Sequence, residues 1–199
     1  MTALNILSLT LFGIFIIAYV SKLVILYGKN SIRANVLAKG KKISGIRSTE
    51  LFVKIATFIW GGAWLFLSLA ESFIVGIVGR HFNEPLVNFI GAGIVSLGCA
   101  VFILAMKAMR TSWRVGIDKS TATKLITRGI YKVSRNAAFV GFDLMFAGLY
   151  LMYPSFLTLI IAVFNILAIH LLILQEEKHL RETFGKAYSD YCRKTPRYI

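Results

Sequence analysis

Apolar residues in this 199-residue chain fall in long unbroken runs, not in alternating or one-faced patterns. A helix needs about 20 consecutive apolar residues to cross a bilayer core of about 30 Å. Runs at about 3–27, 54–78 and 85–106 meet that length. The first is too long for a signal-peptide core and lacks a basic leader and a clear cleavage site, so it reads as a retained span. The run 137–174 is too long for one crossing and just long enough for two short ones. It breaks at Tyr153-Pro154-Ser155, where proline removes a backbone hydrogen bond and marks a tight hairpin. The pattern predicts an all-α, polytopic integral membrane protein, one domain over residues 1–199. Its five transmembrane helices fall at about 3–27, 54–78, 85–106, 137–153 and 155–175.

Two segments outside the spans are long enough to carry chemistry, about 111–136 and 175–199. In the second, Leu180, Phe184, Tyr188 and Tyr191 recur at helical spacing. This predicts a cytoplasmic C-terminal helical extension, kinked or stopped at Gly185 and ended by Pro196. On pattern alone the same stripe also describes an amphipathic helix lying on the membrane.

Composition narrows the class. Hydrophobic residues make up 57% of the chain, above the roughly 45–50% of soluble domains. Mean hydropathy is +0.70. A disordered chain and an ordinary soluble enzyme are excluded. Two cysteines, Cys99 in an apolar run and Cys192 in a basic tail, make no disulfide framework. With no CxxC and no His/Cys cluster, no metal is expected.

The formal charge of +14 changes the picture most through its distribution. Lys and Arg gather in cytoplasmic loops. One group is Lys29, Arg33, Lys39, Lys41, Lys42, Arg47 and Lys54; a second is Lys107, Arg110, Arg114, Lys119, Lys124, Arg128, Lys132 and Arg135. The third is Lys178, Arg181, Lys186, Arg193, Lys194 and Arg197. These are 21 of the 23 basic residues, and they predict an outside N-terminus and a cytoplasmic C-terminus. In a prokaryote the membrane would be the plasma (inner) membrane. A basic patch is also the footprint of nucleic-acid binding. Topology already accounts for nearly all of this charge, so membrane lipids are the expected partners and nucleic acid is not.

Candidate chemistry rests on few residues. Glu71, Asp143, Asn165 and His170 lie inside the apolar runs, where ionisable groups are costly and raise functional hypotheses. Glu71 is placed to reach water or Arg80, Asp143 to pair with Lys107 or a neighbouring helix, and Asn165 to bond across helices. His170 precedes Glu177 by about two turns, so the two share a face. Glu176-Glu177 form the sharpest carboxylate pair, and they run against the helix dipole. Asn136 suits an N-cap, its side-chain oxygen accepting from first-turn amides. With Arg135 it makes an anion or cofactor site at a helix start. An ordinary cap beside an interfacial arginine is the alternative. Gly91, Gly93 and Gly98 imitate a dinucleotide loop, but they sit inside an apolar helix, where small residues allow close packing.

The cytoplasmic segments together resemble a known family. RGIYKVSRNAAFVGF (128–142) resembles the G-x-Y-x-x-x-R-[H/N]-P-x-[Y/F]-x-G signature of the isoprenylcysteine carboxyl methyltransferases and their phospholipid methyltransferase relatives. MRTSWRVGIDKS (109–120) resembles the segment preceding it in prokaryotic members, and EEKHLRETFGKAYSDYCRKTPRYI (176–199) resembles the family tail. Order and spacing agree over roughly the C-terminal half. Ala137 replaces the motif proline, and Leu172 stands where eukaryotic members carry a substrate-linked arginine.

The resemblance implies a membrane methyltransferase using S-adenosyl-L-methionine. By motif, the cofactor would meet Gly116, Thr123, Lys124, Leu125, Ile126, Tyr131, Asn136, Ala137, Ala138, Phe139 and Glu176, within regions 111–139 and 175–199. Arg135, His170 and Glu177 are the catalytic candidates: Arg135 to orient an anion, His170 as a base for a thiol or amine acceptor. The expected acceptor is lipophilic and enters laterally between helices. Carboxyl O-methylation of an isoprenylcysteine-like substrate is the first expectation, and phospholipid N-methylation or small-thiol S-methylation the alternative. A sterol-reductase-like NADPH enzyme and a non-catalytic membrane protein are further alternatives.

Overall fold

The computed structural model describes residues 1–40, 42–118 and 123–199. Lys41 and Lys119, two of the basic residues named above, lie outside the described residues. The described chain is helical: α1 Ala3–Asn30, α2 Ser44–Val78, α3 Pro85–Met109, α4 Ala137–Met152 and α5 Phe156–Lys194. Short 3-10 turns at Arg110–Ser112 and Gly129–Lys132 lie between α3 and α4. No strand is present among the described residues; Asn35 and Val115 form one isolated bridge.

Four helices, α1, α2, α3 (with its 3-10 extension) and α5, are long and apolar enough to cross a membrane. At 16 residues α4 is shorter, rising only about 24 Å. It ends where the sequence break predicts. Ser155 caps α5, accepting from the Thr158 amide, while the Thr158 hydroxyl accepts from the Ser155 amide. Large apolar side chains such as Ile17, Phe58, Phe73, Leu86 and Phe164 face outward. Outward apolar faces are costly in water and neutral in hydrocarbon, so the surface fits an integral membrane protein.

Two helices outrun the apolar pattern. α2 begins at Ser44 rather than near residue 54, and α5 continues past residue 175 to Lys194. Once a helix is nucleated, each added residue contributes a backbone bond at little further entropy cost, so hydropathy alone does not mark the ends. α5 bends at Gly185, whose φ is 50°.

Glycines set the tightest helix pair. A Cβ on Gly91 would lie 2.6 Å from the Met152 amide nitrogen, and one on Gly148 would lie 2.8 Å from the Gly91 carbonyl. At the next crossing, a Cβ on Gly98 would lie 2.7 Å from the Gly141 carbonyl. The backbones of α3 and α4 therefore touch, which brings the start of α4 beside the end of α3. Phe15, Trp60, Phe102, Phe142 and Phe146 fill the space between α1, α2 and this pair, with ring centroids about 5–6 Å apart.

The polar residues of the spans are placed variously. Glu71 pairs with Arg80 as expected. Asn165 does not bond across helices: its amide donates to Ile161 O within α5, at 2.9 Å. Asp143 does not pair with Lys107; its buried Oδ1 has no hydrogen-bond partner.

Candidate functional site

The loop after α1 and the segment after α3 are clipped together. Val36 N donates to Val115 O at 3.0 Å, and Val115 N to Ala34 O at 2.8 Å. Glu50, fully buried on α2, ties the clip down. Its carboxylate accepts from Ala38 N (2.7 Å), Ile117 N (2.7 Å) and Lys42 Nζ (2.6 Å). Gly116 lies at the crossing with φ +91°. A Cβ there would stand 2.9 Å from Leu37 Cα and 3.0 Å from Glu50 Oε1, so only glycine passes.

A second tie joins the start of α4, the middle of α5 and residues 195–199. Glu177 is 3% exposed. Its Oε1 accepts from Arg135 Nη2 and Asn136 Nδ2, both at 3.1 Å, and from Arg197 Nε at 3.2 Å; its Oε2 accepts from Arg197 Nη2 at 2.9 Å. Arg135 also donates to Thr195 O and Cys192 O, and Asn136 to Arg197 O. Arg135 N donates to Pro196 O at 3.0 Å. Burial alone would raise the Glu177 pKa. The hydrogen bonds from Arg197, Arg135 and Asn136 outweigh it and hold the carboxyl below its ordinary value.

Between these two ties lies a cavity of about 810 Å³, large enough for a cofactor together with part of a second ligand. One part is polar, lined by Arg114, Asp118, Lys124, Asn136, Glu176 and His179. The other is apolar and runs along α1 and α2 past Phe12, Ile16, Phe58, Gly61, Gly62 and Leu65. Glu176, the neighbour of Glu177, lines the polar part and has no hydrogen-bond or ion-pair partner among the described residues. It lies on the extension of α5, beyond the apolar span. Burial, together with the charges of Glu50 and Glu177, pushes its pKa up to about 7. Burial, with the Glu176 charge added, also raises the Tyr131 hydroxyl well above its usual value.

The cavity collects Gly116, Thr123, Lys124, Leu125, Ile126, Tyr131, Asn136, Ala138, Phe139 and Glu176, with Arg135 at its edge. Ala137 is buried and does not line it. His170, expected to face the site, instead hydrogen-bonds the Tyr198 hydroxyl. It does share a face with Glu177, but that face is turned toward residues 197 and 198. Glu177 is likewise outside the cavity, its oxygens already filled by three side chains. Asn136 stands at the N-terminus of α4, but its side chain makes no cap bond; the amide donates to Glu177 instead. Leu172 lines the cavity.

Sequence reasoning passed over Glu50, His179 and Arg197. Glu50 sits in a polar stretch whose burial depends on contacts from residues 38 and 117. His179 is one turn beyond Glu176 on α5, and that spacing was a usable signal. Among the described residues no group of three or more His, Cys, Asp or Glu could hold a metal ion.

A family model described as phospholipid methyltransferase matches residues 86–187. That stretch runs from the start of α3 through Glu176 and His179 on α5. No curated protein and no solved structure matches the chain.

Proposed function

The chain belongs to the phospholipid methyltransferase family, and from that premise we propose that it transfers a methyl group from S-adenosyl-L-methionine to a lipophilic acceptor. The observation that carries the reading is Glu176: an unpartnered carboxylate in the polar part of a cavity whose other part is apolar. A half-buried carboxylate with no partner among the described residues is costly, and hydroxyl or ammonium donors of a bound cofactor would satisfy it. Tyr131, Leu125, Ile126 and Phe139 provide an apolar slot suited to adenine. The start of α4 at Asn136 suits a carboxylate. When bound, the cofactor supplies an electrophilic methyl on a sulfonium.

The chain's own work is placement and exclusion of water. The acceptor's hydrocarbon lies along Phe12, Ile16, Phe58 and Leu65, reached from the bilayer between α1 and α2. An amine acceptor must lose a proton before it attacks. With Glu176 committed to the cofactor, His179 is the cavity-lining group suited to take it, in place of His170. The family match favours a phospholipid amine, and Leu172 supplies no cation for a prenylcysteine carboxylate. Carboxyl O-methylation of an isoprenylcysteine-like substrate is the second reading, with Lys54 at the cavity wall as its cation. The family match also speaks for methyl transfer over a sterol-reductase-like reaction with NADPH.

The membrane arrangement is part of the proposal. α4, though short, makes the fifth crossing with the hairpin at Pro154 outside. The N-terminus is then outside, and the α5 extension and the basic segments are cytoplasmic. Reporter fusions in each loop test this; a cytoplasmic signal from residues 79–84 would overturn it. For the chemistry, labelled S-adenosyl-L-methionine is incubated with phosphatidylethanolamine, farnesylcysteine analogues and thiols. The expected result is label in the phospholipid and saturable cofactor binding lost in Glu176→Ala. Tight NADPH binding without S-adenosyl-L-methionine binding would overturn the reading.

A further inference from the structure

Arg197 does not line the cavity, yet each residue it holds either lines it or is next in sequence to one that does. It grips Glu177 through two bonds, at 3.2 and 2.9 Å, and its carbonyl accepts from Asn136 and from the Ser134 hydroxyl. Glu177 and Glu176 are consecutive on α5. Successive helical residues point about 100° apart, so fixing Glu177 in its cluster fixes the direction in which Glu176 enters the cavity. Asn136 belongs to both sets, bonding Glu177 and lining the cavity. The Tyr191 hydroxyl adds a parallel tie, donating to Tyr131 O at 2.5 Å.

We propose that Arg197, acting through Glu177 and Asn136, is a positioning residue that sets the cofactor wall of the cavity. The inference rests on the cofactor reading above and adds to it a residue outside the stretch matched by the family model. Arg197 is the informative residue to change because its side chain is 34% exposed. Arg135 remains to neutralise Glu177 when Arg197 is gone, so the buried carboxylate is not left as a lone charge.

The test uses the full chain in lipid nanodiscs. S-adenosyl-L-methionine is titrated into wild type, Arg197→Met, Arg197→Lys and Tyr198→Phe, and KM for the labelled acceptor is measured alongside. Loss of a charge-assisted bidentate pair predicts a cofactor Kd about tenfold or more higher in Arg197→Met, with acceptor KM within about twofold. Arg197→Lys restores part of the affinity, keeping the charge but not the fork. It also carries the test by itself if Arg197→Met does not fold, its expected cofactor Kd lying between wild type and loss of binding. Tyr198→Phe, which cuts the tie to His170 and leaves the Glu177 cluster intact, binds cofactor like wild type. Absence of cofactor binding in wild type overturns the cofactor reading and the clamp together. Normal wild-type binding with unchanged affinity in the Arg197 variants overturns the clamp alone. Parallel losses in cofactor affinity, acceptor KM and thermal stability, or an equal effect of Tyr198→Phe, reduce the contacts to general tail docking and also overturn it.

Discussion

Glu176 and Glu177 are neighbours in sequence and opposites in surroundings. Glu177 is enclosed by two guanidinium groups and an amide, and its pKa is held down. Glu176 faces a cavity with no partner among the described residues, and its pKa is pushed up to about 7. The difference separates structure from readiness to bind. A carboxylate whose acceptor sites are filled has nothing left to offer a ligand. One that remains unfilled is a cost the fold carries until a ligand meets it.

Four measurements can break or sharpen that contrast. The largest effect belongs to Glu177→Ala, which strands Arg135 in a buried setting and loses about 3–5 kcal/mol of stability in denaturant unfolding. Stability within 1 kcal/mol of wild type would erase the distinction between the two acids. Glu176→Gln is expected to do the reverse: folding is unchanged or improved, while S-adenosyl-L-methionine affinity falls about 10–100-fold, the worth of a charge-assisted hydrogen bond.

Acidification divides the pair next. If Glu176 accepts from the cofactor as proposed, it must be ionised to do so, and affinity is expected to be steady above pH 7 and to fall up to about tenfold per pH unit below it. The same group contributes stability of the opposite sense. Its folded pKa of about 7 lies above the ordinary carboxyl value of 4.5. Between those values the folded protein keeps a proton that the unfolded chain has released, so this group lowers stability as pH rises. Glu177, with its lowered pKa, contributes stability above its unfolded value that is lost on acidification through its folded value. A flat cofactor affinity from pH 8 to 6 would remove Glu176 from the binding site. The smallest effect is that of Tyr198→Phe, about 0.5–1.5 kcal/mol from one hydrogen bond, read in unfolding with cofactor affinity constant.

Much of the fold is legible in the chain because the bilayer imposes length and apolarity on each span. The break at Pro154 and the bend at Gly185 are local backbone effects that residue identity specifies. Helix ends are less legible: residues 44–53 are polar by pattern, yet helical, with Glu50 buried among donors from residues 38, 42 and 117. For the candidate site, the family resemblance implies ten of the cavity-lining positions, and Arg135 is marked by its place at a helix start. It does not tell which side of α5 faces inward. His170 and Glu177 share a face, and nothing in the sequence says that residues 197 and 198 occupy it.

The sequence by itself determined an all-helical, strongly basic chain whose apolar runs suit a membrane, and it marked residues 135–136 and 176–177 as the place for chemistry, with 128–142 added by the family resemblance. Hydropathy, charge and turn residues act locally, so they can be read one position at a time. Only the tertiary structure decided which of two adjacent acids is spent and which is left for a ligand. That depends on donors brought from residues 135, 136 and 197, and a rotation of about 100° between successive helical residues separates the two fates.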